Sequence, residues 1–295
     1  MKTPKNKNVL TLALVSALVS VLFSFMGAPF LRALFVSSRS RVFWSTAVLL
    51  VGAMFVAGVT NYKISETAVY VGATWMTLGI YSELEKRGVN WRRASLASLA
   101  TGLLFALAGY FLILKRIGTD DALTQMLEPL RVAMNQAFPD KPLEAGDLVK
   151  FLPGIFAASL FGSLALSFAL ESKVIKMFRI QRERVASGLR WLEFRLPDVV
   201  VWVTLFAALF SEFSFGQKIL ETISVNLLIL AAVAFFFQGI TVVEFMVRFY
   251  RFGLFTRTLT YLLIILQLAP FVVFVGFVDY WADFRTLVRK KTKTT

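Results

Sequence analysis

Ionisable and amide side chains inside long apolar stretches are the residues of this 295-residue chain whose type and place point to chemistry. Such groups are costly in hydrocarbon, and they face a bundle interior or a water-filled path when they occur. The stretch 219–247 holds Asn226, Gln238 and Glu244. At about 100° per residue, Asn226 and Glu244 share one helix face and Gln238 is displaced by about 120°. They are the candidate substrate-binding residues, as a polar seam directed into a bundle. The alternative is that the two amides hydrogen-bond neighbouring helices, each bond worth on the order of 1 kcal/mol, while Glu244 pairs with Arg248 one turn on.

A second group stands at segment boundaries. Arg195-Leu196-Pro197-Asp198 opens one apolar stretch, with Pro and Asp as ordinary helix-start residues. Asp279-Tyr280-Trp281-Ala282-Asp283-Phe284-Arg285 closes the last one. Asp279 and Asp283 are one turn apart, and two carboxylates near hydrocarbon need a counter-charge. Arg195, Asp198, Asp279, Asp283 and Arg285 are therefore candidates for a structural ion pair. Arg195 is the expected partner from another segment. Tyr280 and Trp281 fit an interfacial aromatic belt.

The chain contains no Cys and no His. Disulfides, thiol nucleophiles, Ser-His-Asp triads and HExxH zinc sites are thereby excluded. It also lacks GxSxG, Walker A and GxGxxG sequences. No catalytic residue, metal site or cofactor is expected, and the chain does not read as an enzyme.

The elements that would carry these residues are membrane helices. Hydrophobic residues make up 57% of the chain, and charged ones 17%, against about 25% in an average soluble domain. Stretches long enough to span a bilayer occur at 9–28, 42–60, 64–82, 95–114, 151–171, 197–213, 219–247 and 258–281. The first follows Lys2, Lys5 and Lys7 as a signal peptide would, yet Met26-Gly27-Ala28 is a poor cleavage site, so it reads as the first helix. The expected fold is all-α: one transmembrane domain over 1–295, a bundle of about eight spanning segments. Gly27-Ala28-Pro29 should break the first segment and let a half-helix return over 30–37; Pro270 should kink the last or turn it back.

Orientation follows from Lys and Arg in the connections. The connection 172–196, with Lys173, Lys176, Arg179, Arg182, Arg184, Arg190 and Arg195, should be cytoplasmic. Arg32, Arg39 and Arg41, then 83–94, and then Arg248, Arg251 and Arg257 fall on the same side, and 115–150 falls outside. Residues 119–138 of that outer connection have helical apolar spacing, as an interfacial amphipathic helix would. The net charge of +14 is spread among these connections. That favours a lipid bilayer with anionic headgroups as the partner over nucleic acid, which needs a basic stripe.

Leu152-Pro153, Arg195-Leu196-Pro197-Asp198, Asn226, Gln238-Gly239, Pro270 and the closing D-x-W-x-D-F-R element form an ordered series. The series resembles the YybS-like family of uncharacterised bacterial multi-pass membrane proteins, best over 150–285. That family is in turn distantly similar to substrate-binding subunits of energy-coupling-factor transporters. Those subunits dock through an Ala-x-x-x-Ala face, and Ala13 to Ala17 has that form here. The resemblance implies a bacterial inner-membrane protein working with a membrane-protein partner.

Two functions are weighed: a small-solute binding or transport subunit using the seam and the broken helices, and a non-transporting scaffold or assembly factor recruiting partners through basic cytoplasmic surfaces. A cavity at Asn226 and Gln238 would favour the first, and amides paired within a solid bundle the second. The topology itself is checked by single-cysteine labelling in a chain without native thiols. An impermeant reagent added outside should label Leu130→Cys and leave Arg182→Cys unmodified; the reverse pattern would invert the assignment.

Overall fold

The computed structural model describes residues 9–117, 127–128, 131–132, 135–136, 148–180, 191–213 and 217–293. Most of the 115–150 connection, including its expected amphipathic helix, and residues 181–190 of the basic connection lie outside the described residues. Among the described residues every regular element is helical. All eight apolar stretches are helices, and four are long and apolar enough to cross a membrane: Ser40–Ala57, Trp91–Ile113, Leu152–Met177 and Lys218–Phe249. The chain folds as a helical membrane bundle. Apolar side chains line whole outward stripes, such as Leu10, Leu14, Leu18 and Leu22 along one face of the first helix. Water would not tolerate stripes of that size, and hydrocarbon does.

The chain divides into two compact units, 1–152 with 159–188, and 153–158 with 189–295. The first contains α1 (Val9–Phe23), α2 (Ala28–Ser37), α3 (Ser40–Ala57), α4 (Tyr62–Lys86), α5 (Trp91–Ile117) and most of α6 (Leu152–Met177). The break after α1 is a single 3₁₀ turn, Ser24–Gly27, with Pro29 in the first turn of α2. There Pro lacks only a hydrogen the helix would not use. The turn brings Gly27 back against Ser20, and α2 packs on α1 and α4. Of the Ala-x-x-x-Ala pair, Ala13 is buried in this chain's own core with Leu12, and Ala17 is half-buried. Between α4 and α5, Gly88 takes φ +77°, which only glycine adopts without strain. Its N–H then bonds Glu85 O and the next N–H bonds Leu84 O, closing the last turn of α4.

The helix α4 is long, but Lys63, Glu66, Glu83, Glu85 and Lys86 keep it from being uniformly apolar. Arg32, read from sequence as a charge in a cytoplasmic connection, is instead 1% exposed inside α2. The physical reason is that α2 begins four residues before it, and the chain leaves the core only after Ser38.

The second unit contains the start of α6, α7 (Asp198–Glu212), α8 (Lys218–Phe249), α9 (Leu254–Leu263), α10 (Ala269–Ala282) and α11 (Phe284–Lys293). The helix α7 has 15 residues, about 22 Å at 1.5 Å per residue, against about 30 Å of hydrocarbon. Between α9 and α10 the chain runs on through a π turn, Ile264–Leu268, which ends where Pro270 starts the next helix. Such a turn is a recognised source of kinks. A left-handed Asp283, φ 40°, ends α10 and redirects the chain into α11.

The central contact of this unit is between α8 and α10. They meet where both lack a side chain: a Cβ on Gly239 would run into the carbonyl of Val272, and one on Gly276 into the carbonyl of Phe235. Backbone atoms cannot yield as a flexible side chain does, so overpacking here should cost about 1–3 kcal/mol. Gly276→Ala should therefore lower the thermal midpoint in detergent by several degrees. An unchanged midpoint would mean the two helices do not approach this closely.

Candidate functional site

The three polar residues of α8 go to three different neighbours. Asn226 reaches the start of α6, where its Oδ1 accepts the Gly154 N–H and its Nδ2 donates to Thr222 O at 2.7 Å. Gly154 is in the first turn of α6, where N–H groups have no partner within the helix. The absence of a side chain there lets the Asn226 backbone approach. Glu244, 5% exposed, accepts from Arg248 Nε at 2.6 Å on its own helix, and from Arg257 Nη2 and the Tyr261 hydroxyl on α9. The Arg248 side chain is more than half exposed and that of Arg257 about a third, while the carboxylate is covered.

Gln238 is 1% exposed and joins three pieces of chain. Its Oε1 accepts from Leu196 N at 2.9 Å, in the extended segment ahead of α7. Its Nε2 donates to Gly276 O at 3.0 Å and to Asp279 Oδ2 at 3.4 Å, both on α10.

Asp279 is fully buried and extends this network. Its Oδ2 accepts from Arg285 Nη2 at 2.7 Å, and its Oδ1 from Phe284 N at 3.1 Å. Arg285 also donates through Nη1 to Leu192 O at 2.9 Å and Phe194 O at 3.0 Å. One buried carboxylate thus meets one buried guanidinium, and both carboxylate oxygens and both terminal guanidinium nitrogens have named partners. That is the condition under which a buried ion pair is tolerable.

Asp283, four residues on, has a different setting. It pairs with Arg195 at 3.3 Å, both side chains about two-fifths exposed, and Arg195 also donates to Tyr280 O at 2.7 Å. Burial tends to raise the Asp283 carboxyl, but the Thr286 hydroxyl and N–H, then Arg195 and Arg285, outweigh it and hold it below the usual carboxylate value. A depressed carboxylate stabilises the fold above its ordinary range and loses that contribution as pH falls through the lowered value. Asp198 does not join the group: it is exposed in the first turn of α7, with no ion-pair partner among the described residues. There a carboxylate complements the helix dipole without a counter-charge.

The first unit holds a cluster that sequence spacing did not single out. Arg32 of α2 donates through Nε to Glu171 Oε2 of α6 at 3.2 Å, through Nη1 to Ser82 Oγ of α4 at 2.7 Å, and through Nη2 to Glu85 Oε2. The rings of Tyr81 and Phe168 lie 5.6 Å and 5.3 Å from its Cζ. The partners are 50 to 139 residues away along the chain. The available signal was a lone Arg inside Pro29-Phe30-Leu31-Arg32-Ala33-Leu34-Phe35, where no turn residue offers an exit to water.

Residues 143–280 match the model of a family described as a predicted membrane protein, DUF2232. The match takes in a little under half of the chain, from just before α6 through most of α10. It includes Arg195, Asn226, Gln238, Glu244 and Asp279, and stops short of Asp283 and Arg285. The description assigns no function, and it supports neither the more specific YybS likeness nor the one to energy-coupling-factor subunits. No curated protein and no solved structure matches.

The two carboxylates of α10 should separate in a stability measurement. Asp279→Asn leaves Arg285 buried without its counter-charge, which should cost about 3–5 kcal/mol. Asp283→Asn removes an exposed pair and should cost about 1 kcal/mol or less, with Arg195→Gln adding little to it. Thermal unfolding of the purified variants in detergent reads both, and equal losses at the two positions would contradict the burial described here.

Proposed function

We propose that this chain is a non-transporting scaffold of a bacterial cytoplasmic membrane, crossing it several times and assembling partners there. The observation that carries this reading is the use made of α8: Asn226, Gln238 and Glu244 are each engaged by a neighbouring segment. A solute passing along that seam would have to displace those partners first, at about 1–3 kcal/mol for each buried group left unpaired. The reading needs no catalytic residue and no cofactor.

Recruitment falls to basic surfaces. Lys173, Lys176 and Arg179 are exposed at the end of α6, and Arg289 and Lys290 are exposed on α11. Arg289 is braced 5.2 Å from the Phe245 ring. Exposed cations of this kind fit anionic headgroups and the acidic surface of a membrane-protein partner. Exposed charge pairs are screened by salt, with a Debye length of about 3 Å at 1 M.

Native mass spectrometry of protein released from its own membrane should therefore find the chain with another protein, and a wash at about 1 M salt should strip that partner. Gln238→Leu, where it folds, should retain the partner. A retained organic solute that disappears in Gln238→Leu would reject the scaffold reading in favour of a binding subunit.

A further inference from the structure

The helix α7 ends on charge in both directions. Asp198 in its first turn and Glu212 at its last residue are exposed, about 21 Å apart at 1.5 Å per residue. Between them Val199, Trp202, Val203, Phe206 and Leu209 are exposed at i, i+3 and i+4 spacing, and Phe213 continues the row. That spacing makes one apolar stripe along the whole helix, and in a membrane bundle such a stripe faces acyl chains. A carboxylate carried into hydrocarbon is costly, so the hydrocarbon beside α7 is no longer than the stripe. An ordinary bilayer core is about 30 Å thick, which leaves α7 short by about 9 Å.

The neighbouring helix shows at which end the shortfall lies. Only residues 213–217 separate α7 from α8, and the two helices pack on each other. The Glu212 end of α7 therefore lies beside the Lys218 end of α8. From Glu221 to Glu244, α8 runs about 34 Å, enough to cross. The other end of α7 stops early. Leu196, two residues before Asp198, donates its N–H to Gln238, and Gln238 is about 9 Å short of Glu244 along α8. At the level left open, α11 reaches from Leu192 and Phe194, whose carbonyls accept from Arg285, to the Phe245 ring against Arg289. Beside an exposed Leu287 it presents Thr286, Arg289 and Lys290. A headgroup layer suits such a surface better than acyl chains do. We infer that the bilayer is thinned beside α7: the leaflet at the Asp198 end is drawn in by about 9 Å, so that its phospholipid headgroups and their water meet Asp198. Deforming lipid costs little per ångström, whereas desolvating Asp198 costs more. The inference concerns lipid alone and stands whether or not the chain is a scaffold.

The test uses spin labels, since the native chain has no cysteine. Val199→Cys, Phe206→Cys and Phe213→Cys each replace an exposed side chain of the stripe. The full-length variants are labelled and reconstituted in dioleoylphosphatidylcholine, a bilayer of ordinary thickness. Collision of each label with oxygen, which concentrates in hydrocarbon, is compared with its collision with a water-soluble nickel chelate. The Phe206 label should meet oxygen, and the labels at both ends should meet nickel at least about threefold more often than it does. If Phe206→Cys does not fold, Val203→Cys serves in its place. Nickel excluded from either end label would put that end inside hydrocarbon of full thickness and overturn the inference. Equal nickel collision at all three labels would overturn it too, by placing the stripe in water. So would exclusion of oxygen from all three, because a protein would then cover the stripe.

Discussion

Hydrocarbon offers no hydrogen bonds, so a polar group carried into the bundle must be satisfied by the protein itself, or it costs several kcal/mol. The second unit is organised by that constraint. Asp279 cannot be buried without Arg285. Arg285 comes within reach only because the helix ends at Ala282 and Asp283 turns the chain left-handed. The same carboxylate fixes one end of the Gln238 amide, whose other end holds the segment that starts α7. This geometry in turn requires α8 and α10 to approach with their backbones nearly touching, which Gly239 and Gly276 permit. Close approach through small residues is how membrane helices gain packing energy where lipid is as apolar as leucine.

The helices were legible in the amino-acid sequence because length and apolarity are local properties. The interruption at Gly27-Ala28-Pro29 was legible for the same reason, since turn residues act where they stand. Long-range pairing is another matter. Asp279 and Asp283 are alike in local context, and helical spacing treats them as one pair on one face. A left-handed residue at the helix end separates them, leaving one fully buried and the other partly in solvent. Arg32 misled for the converse reason. An Arg between apolar runs looks the same in sequence whether it marks a connection or is buried against carboxylates on two distant helices.

The polar residues of α8 show why a seam drawn on a helical wheel says little by itself about transport. Asn226 and Glu244 share a face by periodicity, yet one satisfies the first turn of α6 and the other ties α8 to α9. A common face does not make a common pathway when each group already has a partner. Saturation is the more informative property, and it differs between the two units. In the Gln238–Asp279–Arg285 network, both ends of the amide and both carboxylate oxygens are engaged, so a ligand there must break bonds before making them. In the Arg32 cluster, Glu85 Oε1 and Tyr81 Oη are buried without a hydrogen-bond partner among the described residues. Buried groups that are fully engaged hold a fold together, and buried groups that are not engaged can gain from a ligand. On that physical distinction the second unit, whose polar residues stand out in the sequence, serves as a frame.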